Sequence, residues 1–193
     1  MRKVTDYKKV YKNVYIVLTQ TKTYPARVIH YYTKEPYAHA SLAFDEELKE
    51  MYSFARKGIW NPFNAGFICE DINSGIFARH KSTTCSIYSL KITKTQYTKL
   101  RKVIDMFKQN KDKYSYNYIG LLAAAVNLPI KSEQRYFCSQ FVAYALEQSD
   151  INIFSQGYEF IKPKDFRLNP NMNLIFEGKL SDYRLKNNSL VLQ

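Results

Sequence analysis

Arg135-Tyr136-Phe137-Cys138-Ser139-Gln140-Phe141-Val142-Ala143-Tyr144-Ala145-Leu146 is the stretch on which the reading of this chain turns. Phe137, Phe141, Val142, Ala145 and Leu146 recur at helical spacing, which predicts a buried helix with Cys138 in its opening turn. A helix N-terminus carries unsatisfied N–H groups and partial positive charge. Both favour thiolate over thiol. A free cysteine, with a pKa of about 8.5, drops by about a unit or more in such a place, and further beside a protonated histidine. To act as a nucleophile, such a thiol needs a histidine, a group that orients it, and a cleft.

Tyr37-Ala38-His39-Ala40-Ser41-Leu42-Ala43-Phe44 supplies the first. It follows the break at Lys34-Glu35-Pro36 and reads as a strand, whose side chains alternate. His39, Ser41 and Ala43 share one face; Ala40, Leu42 and Phe44 share the apolar one. The first face is small and polar, as the wall of a cleft is. Asp45 to Glu50 is a charged connection, and Met51-Tyr52-Ser53-Phe54-Ala55-Arg56 reads as the hairpin partner. His39 lies far from Cys138 in sequence, which is no obstacle, because a nucleophile and its base meet in space. His30, in the ambiguous segment Arg27 to Tyr32, and His80, in the basic Ala78-Arg79-His80-Lys81, are weaker candidates. The plainer readings are a cysteine packed as a small hydrophobe and a hydrogen-bonded strand histidine.

The remaining chain reads as a scaffold. Asn13 to Thr19 and Thr84 to Leu90 are β-rich, and alternation buries Cys85 with Ile87. Gly58 to Ser82 reads as a long irregular loop, whose Trp60 and Phe63 act either as a lid or as staples to the core. Thr93-Lys94-Thr95-Gln96 is a capping box opening a helix that buries Tyr97, Leu100, Val103, Ile104 and Phe107. Tyr114 to Tyr118 leads into Ile119 to Val126, a helix apolar nearly all round and expected to be buried. Asn173 to Glu177 reads as a last strand.

The chain has 193 residues, 46% hydrophobic and 24% charged, which suits one folded domain rather than a disordered chain. Its formal charge of +12 favours anionic partners: nucleic acid, acidic lipid surfaces or acidic substrates. The lysines are scattered, however, as on a solvated basic surface. With 17 tyrosines and 12 phenylalanines, rings serve the core, a groove, or both. Cys69, Cys85 and Cys138 are odd in number and have no metal-type spacing, so neither a zinc site nor a disulfide framework is indicated, and a reducing compartment fits. No H-x-x-x-H spacing or carboxylate cluster beside a histidine and no glycine-rich phosphate loop occur, so no cofactor is called for. The charged N-terminus has no apolar run after it and no stretch is long enough to span a bilayer, so a cytoplasmic protein is expected.

His39-Ala40-Ser41-Leu42-Ala43-Phe44, Met51-Tyr52-Ser53-Phe54-Ala55-Arg56-Lys57 and Phe137-Cys138-Ser139-Gln140-Phe141-Val142 together resemble the circularly permuted NlpC-type cysteine hydrolases, of which the YiiX-like proteins are one branch. In these papain-like folds the histidine strand precedes the cysteine helix. The resemblance covers about residues 14 to 147. It implies an α+β fold, a small antiparallel sheet or partial barrel packed on about three helices, with 1–193 as a single permuted papain-like domain. It assigns Cys138 as nucleophile and His39 as general base. The third polar group usually sits on the strand after the histidine, where Ser53 is the candidate. Related enzymes typically carry Glu, Asn, Gln or His there, and a serine stabilises imidazolium poorly. Glu70 or Asp71 of the long loop are the charged substitutes. The Cys138 N–H contributes to an oxyanion hole, with Tyr116 or a neighbouring tyrosine as a further donor.

The activity implied is a thiol hydrolase or acyltransferase working on an amide or ester through an acyl-enzyme, with a peptide, amide or lipid-ester substrate. The alternative is a binding protein on a degenerate hydrolase scaffold, its basic aromatic surface taking an anionic ligand such as nucleic acid. In a third reading the cysteine is only structural.

Overall fold

The computed structural model describes residues 10–21, 35–57, 64–125 and 132–183. The N-terminal 1–9, the segment with His30, the aromatic stretch 58–63 with Trp60 and Phe63, and the turn with Pro129 lie outside the described residues.

The frame is an antiparallel six-stranded sheet in the order β4-β3-β2-β1-β5-β8. Its strands are β1 (Tyr11–Gln20), β2 (His39–Ala43), β3 (Met51–Arg56), β4 (Ala65–Glu70), β5 (Thr84–Thr93) and β8 (Asn173–Lys179). Helices α1 (Gly75–Arg79), α2 (Lys94–Gln109), α3 (Tyr118–Ala125), α4 (Cys138–Glu147) and α5 (Pro163–Arg167) surround it. The architecture is α+β. Among the described residues no helix is long and apolar enough to cross a membrane.

β1 is the spine. It pairs with β5 from Tyr11↔Thr93 to Gln20↔Thr84 and with β2 from Tyr15↔Ala43 to Thr19↔His39. Its alternation feeds two cores. Val14, Ile16 and Leu18 join the larger one beneath α2 and α4; Tyr15 and Val17 join a smaller one with Ala43, Met51, Cys85, Ile87, Phe77 of α1, Leu180 and Tyr183. The apolar face expected of β2 is observed, with Ala40, Leu42 and Phe44 all in the larger core.

Four phenylalanines set α4 on the sheet. Phe54 of β3, Phe67 of β4, Phe107 of α2 and Phe141 of α4 all touch one another, their ring centroids separated by 5.1 to 6.0 Å. Edge-on and offset geometries of this kind add about 0.5–1.5 kcal/mol per pair beyond the area buried. Cys138 lies one helical turn before Phe141, so this cluster also fixes the height of the thiol above the sheet. The expected capping box orients α2: Thr93 Oγ1 accepts from the Gln96 N–H at 3.2 Å, and Gln96 Oε1 accepts from the Thr93 N–H at 2.9 Å.

Two expectations are corrected. The stretch from Gly58 to Ser82 is not all loop: β4 and α1 lie within it. Ala65 to Glu70 pairs with the whole of β3, from Arg56↔Ala65 to Met51↔Glu70. The second concerns α3, expected to be buried on every side. Ile119 is 64% and Tyr118 38% exposed, so the first turn of this short helix is open to solvent.

Candidate active site

Cys138 is the first residue of α4, as its sequence context requires, after Phe137 in extended conformation (φ −99°, ψ 169°). Gln140 Oε1 accepts the Phe137 N–H at 3.3 Å, which ties off one of the orphan donors of the helix start. A short parallel ladder, β6 (Ser115–Tyr116) with β7 (Arg135–Tyr136), runs into the same helix and sets Tyr116 opposite Tyr136, close to Cys138. The sulfur rests against the start of β2, with Sγ 3.9 Å from the Ala38 carbonyl oxygen.

His39 opens β2. Its Nε2 lies 2.9 Å from Glu70 Oε1 and 3.2 Å from Ser41 Oγ. The Cys138 thiol lies within electrostatic reach of the same imidazole. Cys138, His39 and Glu70 therefore gather at one place, with Glu70 bound to the ring through Nε2. β2 pairs with β3 only at Leu42↔Tyr52 and Ala43↔Met51, leaving the His39 end unpaired on that side. Glu70 is 8% exposed, and the His39 side chain keeps 21% of its surface, so the site meets solvent at the imidazole.

Enclosure and charge oppose each other at all three groups, and charge prevails. Burial alone would push the Cys138 thiol up. The hydrogen bond and positive charge of His39, then the N–H groups of Ala40 and Ser139, outweigh it, and the thiol is lowered from its ordinary value. Burial would lower His39. The Glu70 carboxylate, then Cys138, hold it well above the usual imidazole range. Burial would raise Glu70, while the His39 charge and hydrogen bonds from His39 and Ser41 hold it below the usual carboxylate range. All three directions favour the charged forms: thiolate, imidazolium and carboxylate.

The third group is therefore Glu70, not Ser53. Ser53 is fully buried, and its hydroxyl makes no hydrogen bond of normal geometry among the described residues, although it lies near enough to Glu70 to favour the charged form. The physical reason is the extra strand: β4 brings a full carboxylate alongside β3, so β3 itself need not supply the partner. Asp71 is occupied elsewhere, with Oδ1 accepting the Asn73 N–H at 2.8 Å in the turn after β4. Tyr116 does reach Cys138. Burial first, and then the neighbouring Cys138, push its phenol well up, which keeps it a hydrogen-bond donor.

Ser41 was legible only as a small polar residue on the His39 face. In the structure it is fully buried and donates to Glu70 Oε2. Cys69 is exposed and Cys85 buried; neither pairs with a histidine. Among the described residues no group of three or more His, Cys, Asp or Glu is placed to hold a metal ion.

Comparison with protein-family models, with curated proteins and with solved structures finds no match to this chain.

Proposed function

We propose that the chain is a cysteine hydrolase or acyltransferase with a permuted papain-like fold of the NlpC type, acting on an amide or ester. The observation that carries this is the imidazole of His39, bound by Glu70 through Nε2 at 2.9 Å and near enough to the Cys138 thiol at the start of α4 to lower it. The chain order supports it too: histidine strand, carboxylate strand, then cysteine helix.

In this mechanism the Cys138 proton resides on His39 in the resting pair. The thiolate attacks the substrate carbonyl carbon, forming the C–S bond, and the carbonyl oxygen takes the negative charge. The Cys138 N–H and the Tyr116 hydroxyl are the donors on hand for that oxyanion. As the tetrahedral species collapses, the C–N or C–O bond breaks and imidazolium gives its proton to the leaving amine or alcohol. Neutral His39 then takes a proton from water, or from another acceptor. The water or acceptor oxygen so activated attacks the thioester carbonyl, the C–S bond breaks, and the acyl product leaves with the thiolate–imidazolium pair restored. Throughout, Glu70 fixes the ring and balances the imidazolium without being protonated.

The test is iodoacetamide labelling read by mass spectrometry, with Cys69 and Cys85 as internal references, together with p-nitrophenyl acetate as a small acyl donor. At pH 6.5 Cys138 labels ahead of exposed Cys69. The ester gives a burst of p-nitrophenolate with an acetyl group on Cys138, absent in Cys138→Ala. Labelling of Cys138 no faster than Cys69, with no acetyl adduct, would overturn the proposal.

A further inference from the structure

Glu70 has two oxygens and only one faces the imidazole. The other sits in a nearly closed part of the sheet, where a carboxylate oxygen without a donor is costly. Ser41 fills that role. It stands two residues after His39 on the same face of β2, fully enclosed, with its backbone paired to Val17 of β1. Its hydroxyl donates to Glu70 Oε2, while its oxygen lies 3.2 Å from His39 Nε2. The Nε2–H thus points into a fork between Glu70 Oε1 at 2.9 Å and Ser41 Oγ, and the serine proton closes the loop onto Oε2.

We infer that Ser41 is a positioning residue, whose hydroxyl locks the Glu70 carboxylate in the orientation that holds His39. A hydroxyl suits this place because it both accepts and donates. Alanine can do neither, and an amide side chain is too large for a fully enclosed position. The consequence for the thiol rests on the Cys138–His39 reading above; the lock between Ser41, Glu70 and His39 does not.

The mechanism follows from the contacts. Without the serine, Oε2 loses the donor that the described residues give it. The carboxylate then turns toward another donor or takes a proton, and in either case His39 loses part of its counter-charge. The titratable groups gathered here are Glu70 from β4, His39 from β2, Cys138 from α4 and Tyr116 from β6. Replacing Cys138 leaves His39 and Glu70 as the pair to be read.

The experiment follows the ring signals of His39, one of three histidines, by NMR through a pH titration of the Cys138→Ala protein. Adding Ser41→Ala lowers the His39 midpoint by about one unit, the loss expected when a hydrogen bond to its charged partner goes. Ser41→Cys, close in size but a weak donor, shifts it the same way if the alanine variant folds poorly. Ser41→Thr, which restores the hydroxyl, brings the midpoint back. In the protein with Cys138 present, Ser41→Ala slows alkylation at neutral pH, and Ser41→Ala/Glu70→Gln labels at the rate of Glu70→Gln alone. A midpoint unmoved by Ser41→Ala, or effects of the two substitutions that multiply, would overturn the lock. Slow labelling of Cys138 in the unsubstituted protein would instead overturn the hydrolase reading, because the His39 midpoint is measured without that thiol.

Discussion

Cys85 and Cys138 are both sealed in the protein, at 0% and 2% exposure, yet their chemistry is driven in opposite directions. Cys85 sits mid-sheet on β5 between Thr19 and Gly178. Burial, then the charges of Asp182 and Glu177, push its thiol up to about 12. Cys138 suffers the same burial, but a helix start and an imidazole stand beside it, and its thiol falls. Burial therefore does not decide reactivity in this molecule; the partner does. A thiol that meets only carboxylates in a closed core is a small hydrophobe. One that meets an imidazole with its own carboxylate behind it is poised as an anion.

The largest effect expected is the one that makes Cys138 resemble Cys85. At pH 7 an ordinary thiol near 8.5 is about 3% ionised, so His39→Ala slows Cys138 alkylation by about thirtyfold, since only the Ala40 and Ser139 N–H groups then oppose burial. Glu70→Gln keeps the shape and removes the charge behind the ring. It costs about tenfold at the same pH and moves the labelling profile to higher pH. Both follow from competition between Cys138 and Cys69 for limiting iodoacetamide. Should His39→Ala leave the Cys138 rate unchanged, the contrast between the two buried thiols has some other source.

Cys85→Ala probes the other side of the contrast. It removes a packed sulfur and costs stability on the order of 1 kcal/mol, seen as a lower denaturation midpoint. The rate at Cys138 stays the same, because Thr19 of β1 stands between Cys85 and His39 in the strand register. A change in Cys138 labelling would mean that the two sites are coupled through Thr19.

What could be read in the sequence was what local rules govern. Alternation placed His39 and Ser41 on one face of β2 and Leu42 on the other, and the capping box at Thr93 marked the start of α2. Spacing placed Cys138 at a helix start. Glu70 was legible only as a substitute for Ser53, because its strand is short and follows turn-formers such as Pro62 and Asn64. Within that strand the signal was present: Phe67 and Cys69 alternate with Ile68 and Glu70, and Phe67 belongs to the phenylalanine cluster while Glu70 turns to the opposite face. Pairing across two strands is a long-range fact that no window of sequence contains. The exposure of Ile119 escaped for a related reason: composition says how apolar a helix is, not how many neighbours it will have.

The smallest effect is a pH signature of the His39–Glu70 pair in the folding stability itself. The Cys138→Ala background isolates it. Glu70 is held below its ordinary value, so its share is present above an unfolded pKa of about 4.3 and fades as pH falls through the lower folded value. His39 is held above its ordinary value, so its share is present below about 6.5 and is lost as pH rises through the higher folded value. The two overlap between about pH 4.3 and 6.5, where imidazolium and carboxylate coexist in the folded state at full strength. The melting temperature of Cys138→Ala minus that of Cys138→Ala/Glu70→Gln therefore peaks in this window and shrinks on both sides. Cys85, which carries no charge over the same range, contributes no such peak. A difference that stays flat from acid to alkaline pH would mean that His39 and Glu70 meet as neutral hydrogen-bonding groups, and Cys138 would then lack the charge that separates it from Cys85.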